Sequence, residues 1–321
     1  RDQTILLAQN ALSIKQIFSA IYADLDLQRE PMSGGRQMVG HFVTKSVEDN
    51  KFLDLINQKN HSADVSPTGS QMPKLVGLAQ ASKIYRNHST KNSSKFSNNG
   101  NEIAWGTIGN ASTSEGVFFE AINAAGVLQI PMVISIWDDD YGISVHNKDQ
   151  TTKGSISKAL EGFQKNNIQV GLEIIEVKGW DYTSLIDAYS YASKLARKNH
   201  IPVMVHVTEL TQPLGHSSSG SHERYKTSER LEWEKEYDCN LKMKEWILSN
   251  GIANLNDLKL IEENAKIKVK NEKRIAWKEY QAPILKQREI FFHFYNDFIS
   301  KTNNDINLQL KLFLDLLNIF F

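Results

Sequence analysis

The 321 residues carry 37 Lys and Arg against 37 Asp and Glu, and 40% of them are hydrophobic. That balance gives no global basic footprint for nucleic acid or an anionic membrane, while the length allows one large core plus extensions. A single cysteine, Cys239, excludes an internal disulfide and a cysteine metal cluster and favours a reducing, cytoplasmic compartment. The chain opens on Arg1 without a secretory pattern and reads as a piece of a longer polypeptide, or as one with a trimmed start.

In chain order, "SIKQIFSAIYADL" (13–25) has helical periodicity behind a Ser13 cap. "MSGGRQMVGHF" (32–42) is a glycine-rich loop carrying Arg36 and His41. "SPTGSQMPKLVGLAQASKIYR" (66–86) is a turn followed by a helix, with Pro73 early enough to be tolerated. "NHSTKNSSKFSNNGN" (87–101) reads as an exposed polar loop. Strands are expected near 103–109, 131–137, 171–177 and 202–208, and helices near 114–129, 153–165 and 183–199. Helices of this length between strands imply right-handed crossovers, hence an α/β fold with a mostly parallel sheet flanked by helices. "GHSSSGSHERYKTSER" (215–230) is a Gly/Ser loop, and beyond it the chain is helical and charged, with "IEENAKIKVKNEKRIAWKEY" (261–280) as a long solvated helix. The expected division is a main domain over 1–230, a helical C-terminal extension over 231–290 and an apolar tail over 291–321. "LQLKLFLDLLNIFF" (308–321) is too short and interrupted for a membrane span. It packs on its own core, on a partner chain or on a following domain.

The chemistry concentrates at two strand ends. In an open parallel sheet, ligands collect at the carboxyl ends of the strands. "GNASTSEG" (109–116) lies at such an end, with Ser112 and Glu115 at capping-box spacing, so a helix is expected just after Ser112, its free amides facing an anion. Gly109 is read as granting a backbone conformation barred to larger residues, and Ala111 as leaving room for a ligand. Twenty-nine positions beyond Asn110, "PMVISIWDDDYGIS" (131–144) places Asp139 and Tyr141 one β-α-β unit away. An amide oxygen, a carboxylate and a backbone carbonyl, with ligand phosphates, suit octahedral Mg²⁺; a solvated acidic loop is the plainer reading of "DDD" alone.

"GNASTSEGVFFEAINAAGVLQIPMVISIWDDDYGIS" (109–144) resembles the thiamine diphosphate signature of the alpha subunit of the 2-oxoacid dehydrogenase decarboxylating component. "GRQM..H", "SP...Q.P", "TSEG", the strand ending before Tyr141 and "GHS" occur in the expected order, so the likeness extends from Arg1 to about Tyr225. It implies a thiamine diphosphate-binding fold. It implies Asn110 and Asp139 as side-chain metal ligands, Tyr141 as a carbonyl ligand, and Gly109, Ala111 and Ser112 as the turn around the diphosphate. Arg1 matches an arginine on the diphosphate. Ser66 and Thr68 match positions beside the aminopyrimidine and substrate. His216 matches the histidine next to the reacting thiazolium, and so is the catalytic candidate. His41 lines the site or is a hydrogen-bonded structural histidine. Ser70 and Gln71 match positions that hold a monovalent cation in some branched-chain members, or else cap the following helix. Ser217 falls at a phosphorylation position of mitochondrial relatives, where no such control is expected.

Two departures stand out. The family's first metal ligand is acidic and its second an amide; here Asn110 and Asp139 exchange those types, which keeps the charge presented to Mg²⁺. Trp137 stands where relatives place a polar or basic residue. The resemblance implies oxidative decarboxylation of a 2-oxoacid and acyl transfer to a lipoyl group on a partner acyltransferase. It places the glutamate that activates the cofactor on a beta subunit or fused beta domain. "GGRQMVGHF" is more similar to branched-chain members than to the pyruvate type, which puts branched-chain 2-oxoacids first and a pyruvate or acetoin dehydrogenase alpha subunit as the alternative. A non-catalytic interaction relative and a transketolase-type enzyme are the rival readings.

Overall fold

The computed structural model describes residues 3–37, 42–62, 67–88, 93–216 and 221–301. Arg1, His41, Ser66, Ser217 and residues 302–321 of the apolar tail lie outside the described residues. Two compact units emerge, one formed by 1–41 with 261–321 and the other by 42–260.

Within the first unit, helix α1 (Ile14–Ile21) starts where the sequence places it. Ser13 Oγ accepts from Gln16 N–H, and the Gln16 side chain accepts from Ser13 N–H, a complete capping box. The glycine-rich segment that follows is organised by a buried carboxylate. Glu30 accepts from the N–H groups of Met32, Ser33 and Gly35, all at 2.9 Å, so its burial is matched by donors. Gly35 is left-handed at φ +74°, and a Cβ there would lie 2.5 Å from Ala23 O.

The second unit holds the sheet. Helix α2 (Gln71–Asn87) begins at Ser70, whose side chain makes no capping bond. Strand β1 (Ala104–Gly109) is followed by helix α3 (Gly116–Leu128) and strand β2 (Met132–Trp137). Strand β3 (Glu173–Lys178), helix α4 (Tyr182–Asn199) and strand β4 (Val203–Thr208) complete the layer. The four strands are all parallel in the order β1-β2-β4-β3. Side chains alternate between the two faces, as the strand period requires. Met132, Ile134, Ile136 and Met204 meet Met72, Leu75, Phe118 and Ile122 of α2 and α3, whereas Val133, Val203, Val205 and Val207 meet α4. Ala188, Ala192 and Ala196 recur every four residues, which brings α4 close to the sheet. With both faces covered, central β2 and β4 are continuously buried for five of six residues.

Three expectations are corrected. The helix expected over 153–165 is broken into a 3₁₀ turn at Thr152–Gly154, one α-turn at Ile156–Ala159 and a second 3₁₀ turn at Glu161–Phe163. Lys153 in the left-handed region (φ 63°) interrupts the first turn. The polar stretch 87–101 contains a short helix, Ser93–Phe96. The loop expected over 215–230 ends early, because Thr227 accepts from Arg230 N–H and caps helix α5 (Ser228–Glu236). Helix α6 (Cys239–Ser249) follows, and helix α7 (Leu255–Ser300) runs 46 residues with Pro283 inside it. The solvated helix expected over 261–280 is part of α7; Ala276 is its one buried residue, beside Trp277, which meets the Tyr22 ring edge-on at 5.0 Å. No described helix is long and apolar enough to cross a membrane.

Candidate active site at the strand ends

Parallel pairing of β1 with β2 sets Gly109 against Trp137, and Asn110 N–H continues the ladder by donating to Trp137 O at 3.1 Å. Asn110 and the "DDDYG" segment therefore leave the sheet side by side at its carboxyl edge. The α-helix does not begin after Ser112. Residues Ala111–Ser114 form a 3₁₀ turn and α3 starts at Gly116, so no Ser112–Glu115 capping box forms. The physical reason is Thr113, whose N–H and hydroxyl both donate to Asn110 O and tighten the turn. The N–H groups of Ala111 and Ser112 at its start make no hydrogen bond among the described residues. Gly109 is not left-handed, contrary to the conformational reading; a Cβ there would meet nothing within 4 Å, so its value is open approach. Ala111 packs on the second segment instead, its Cβ 2.9 Å from where a Gly142 Cβ would lie.

Asn110 is 5% exposed. Its Nδ2 donates to Tyr141 O at 3.1 Å and to Asn147 Oδ1 at 2.8 Å, leaving Oδ1 without a described donor. Tyr141 N–H donates to Asp139 Oδ1 at 3.3 Å. Asn110, Asp139 and Tyr141 thus form one connected group. Burial pushes the Asp139 carboxyl above the ordinary aspartate range, against the pull of the Tyr141 N–H and the Lys226 charge. A half-buried carboxylate held that way favours a cation, and an amide oxygen, a carboxylate oxygen and a main-chain carbonyl make a hard donor set. These residues fit Mg²⁺ by donor chemistry, with the Tyr141 carbonyl already sharing one lone pair with Asn110.

Sequence reasoning missed the groups behind this cluster. Asn147 Nδ2 donates to Asp138 Oδ1 at 2.7 Å, and Asp138 Oδ2 faces His206 Nε2 at 2.9 Å. His206 Nδ1 in turn meets Ser157 Oγ. His206 shares its strand face with Met204, so it sits at an apolar position and is recognisable only by its phase in β4. Burial opposes ionisation of Asp138, but bonds from His206, Asp140 N–H and Asn147 outweigh it and hold its carboxyl below the usual range. A second missed group is Arg230, which donates to Asp139 O at 2.9 Å and pairs with Asp140 and Glu234. Lys226 pairs with Glu234 at 2.7 Å and lies 5.1 Å from the Tyr141 ring centroid. The "YKTSER" stretch holding both cations looked like loop, which hid them.

Other expected residues stand apart. Thr68 is exposed, next to Gly69, whose absent Cβ would lie 3.3 Å from Glu115 Cβ, so the 67–71 turn adjoins the start of α3. Gln71 Nε2 donates to Thr107 O at 3.1 Å. His216 is exposed and no hydrogen bond joins it to the Asn110 cluster among the described residues. His222, not His216, packs on the Gly215 turn, 3.4 Å from a Cβ placed there. Trp137 Nε1 donates to Ser135 Oγ at 2.9 Å.

Residues 1–284 match the family model described as dehydrogenase E1 component. The chain is 26% identical over 227 residues to the pyruvate dehydrogenase E1 component subunit alpha of Rickettsia bellii (strain RML369-C), which covers 71% of this chain and 62% of that protein. It is 25% identical over 252 residues to the 2-oxoisovalerate dehydrogenase subunit alpha of Bacillus subtilis (strain 168), covering 78% and 65%. The mitochondrial pyruvate dehydrogenase E1 component subunit alpha of Dictyostelium discoideum is 24% identical over 298 residues, covering 92% and 67%. The chain thus spans about three fifths of the length of most curated relatives it matches. With the strand-end cluster in place and the family model matched across most of the chain, this protein belongs to the dehydrogenase E1 component family.

Proposed function

We propose that the chain is the alpha part of a thiamine diphosphate-dependent 2-oxoacid dehydrogenase that decarboxylates a branched-chain 2-oxoacid and passes the acyl group to a lipoyl acyltransferase. The observation that carries this reading is the joining of Asn110, Asp139 and Tyr141 at the carboxyl edge of β1 and β2. Asn110 Oδ1, Asp139 and the Tyr141 carbonyl would hold Mg²⁺, with the exchange of amide and carboxylate leaving the ligand charge unchanged. The free N–H groups of Ala111 and Ser112, the open side of Gly109 and the charge of Arg1 would receive the diphosphate. Ser66 and Thr68 would face the aminopyrimidine and substrate. When bound, thiamine diphosphate supplies the electron sink for decarboxylation. His216 would hold or move a proton at the substrate oxygen, which its exposed position leaves possible once a beta chain covers the edge. A monovalent cation near Ser70 and Gln71, a cytoplasmic location and a beta subunit or fused beta domain belong to the same proposal.

Pyruvate is the second reading, because a relative named for pyruvate matches at 26% identity and one named for 2-oxoisovalerate at 25%. Steady-state kcat/KM of the assembled enzyme toward 3-methyl-2-oxobutanoate and pyruvate decides between them. A ratio above tenfold for the branched acid is expected, and a ratio reversed in favour of pyruvate overturns the branched-chain assignment. No decarboxylation of either acid, by enzyme that binds its beta partner, favours the non-catalytic relative.

A further inference from the structure

The hydrogen bonds behind the site answer why position 110 is an asparagine. The chain of donors can be assigned from backbone groups, which have no orientational ambiguity. Asp140 N–H donates to Asp138 Oδ1 at 2.8 Å, so that oxygen is an acceptor. Asn147, 2.7 Å away, must present its NH₂ to it, and its Oδ1 then faces Asn110 and Gln150. Asn110 must present NH₂ to Asn147 Oδ1, and the Tyr141 carbonyl demands the same. Both ends of the relay agree. Asn110 Oδ1 is left pointing away from these partners, and a carboxylate at 110 would set an oxygen against two oxygens at 2.8 and 3.1 Å.

We infer that Asn147, anchored by Asp138, is a positioning residue that fixes the Asn110 amide so that its oxygen, not its nitrogen, is presented to the magnesium diphosphate. This rests on the metal-site reading above. Asn147 is 4% exposed and its N–H is fixed on Asp140 O at 2.8 Å, so it reaches the ligand only through Asn110. Partners that orient a metal ligand without touching the metal are worth about 10- to 100-fold in affinity.

The test measures Mg²⁺-dependent thiamine diphosphate binding by calorimetry on the full chain assembled with its beta partner. Wild type, Asn147→Leu, Asn110→Ala and the double variant form a cycle, with thermal unfolding recorded for each. The expected result is about tenfold weaker binding for Asn147→Leu in the wild-type background and no further loss on Asn110→Ala. Asn147→Asp, which keeps the size and the acceptor but sets a carboxylate against Asp138, is expected to weaken binding similarly and serves if Asn147→Leu fails to fold. Unchanged affinity in the Asn147 variants, or equal losses with and without Asn110, overturns the inference while leaving the metal site standing. Wild type that binds the cofactor no better with Mg²⁺ than without it overturns the metal-site reading itself and the positioning role with it.

Discussion

At the residue scale, the two glycines at the strand-end site, Gly109 and Gly142, do different things. A Cβ at Gly142 would lie 2.9 Å from Ala111 Cβ and closer still to the Gln150 side chain. Gly142→Ala is expected to cost about 1–3 kcal/mol, read by denaturant unfolding. Gly109 meets nothing within 4 Å and is not left-handed. Gly109→Ala is expected to change stability by less than about 0.5 kcal/mol while weakening diphosphate binding, since the new methyl occupies the approach. Asn110→Asp in the cofactor-free chain loses two donated bonds and gains two oxygen–oxygen contacts, so a loss of about 2 kcal/mol or more is expected in the same assay. Charge counting alone misses this, because the exchange of Asn110 and Asp139 looks neutral until Asn147 is seen behind it. Asp24 supplies the pH test. Its bonds to the Arg29 guanidinium, at 2.7 and 2.8 Å, outweigh burial and hold its carboxyl below the usual aspartate range. A folded pKa below the unfolded one gives stability that is present above the unfolded value and lost as pH falls through the folded one. Asp24→Asn is therefore expected to lower stability at neutral pH and to flatten its decline in acid, measured as unfolding midpoints from pH 7 to pH 2.

At the element scale, what was legible in the sequence was what periodicity and caps dictate. All four strands were visible because their apolar runs are bounded by turns, and α1 because helical periodicity follows a Ser13 cap, which the structure completes with Gln16 at capping-box spacing. The same spacing at Ser112 and Glu115 misled, since Thr113 ties its hydroxyl to Asn110 O and makes a 3₁₀ turn instead. Spacing names a possible bond; the competing donor decides it. The short pieces over 152–163 escaped because no 3.6-residue stripe survives a left-handed Lys153. Asn147, His206 and Arg230 escaped because their roles depend on strand register and on α5 folding back toward Asp139 and Asp140, neither of which local pattern contains. Element energetics follow the burial. Ile134 of β2 is fully buried in the cluster that holds Phe118 and Ile122 of α3, and Ile134→Ala is expected to cost about 2–5 kcal/mol in chemical denaturation.

At the scale of the whole molecule, the proposed function gives this chain the diphosphate and metal half of a site whose other half the family resemblance assigns to a beta chain. His216 is exposed. Purified alone, the chain is expected to show no 2-oxoacid decarboxylation above background, and to gain it on mixing with the beta partner. Substantial activity of the isolated chain contradicts the split-site assignment. The most direct measurement is thiamine diphosphate affinity of the assembled enzyme with and without Mg²⁺, in wild type and in the Asn110→Ala, Asp139→Ala double variant. Wild type is expected to bind at least about a hundredfold more tightly with Mg²⁺, and the double variant to lose that dependence. Equal, Mg²⁺-dependent binding by the two proteins contradicts the assignment of Asn110 and Asp139 as the metal ligands.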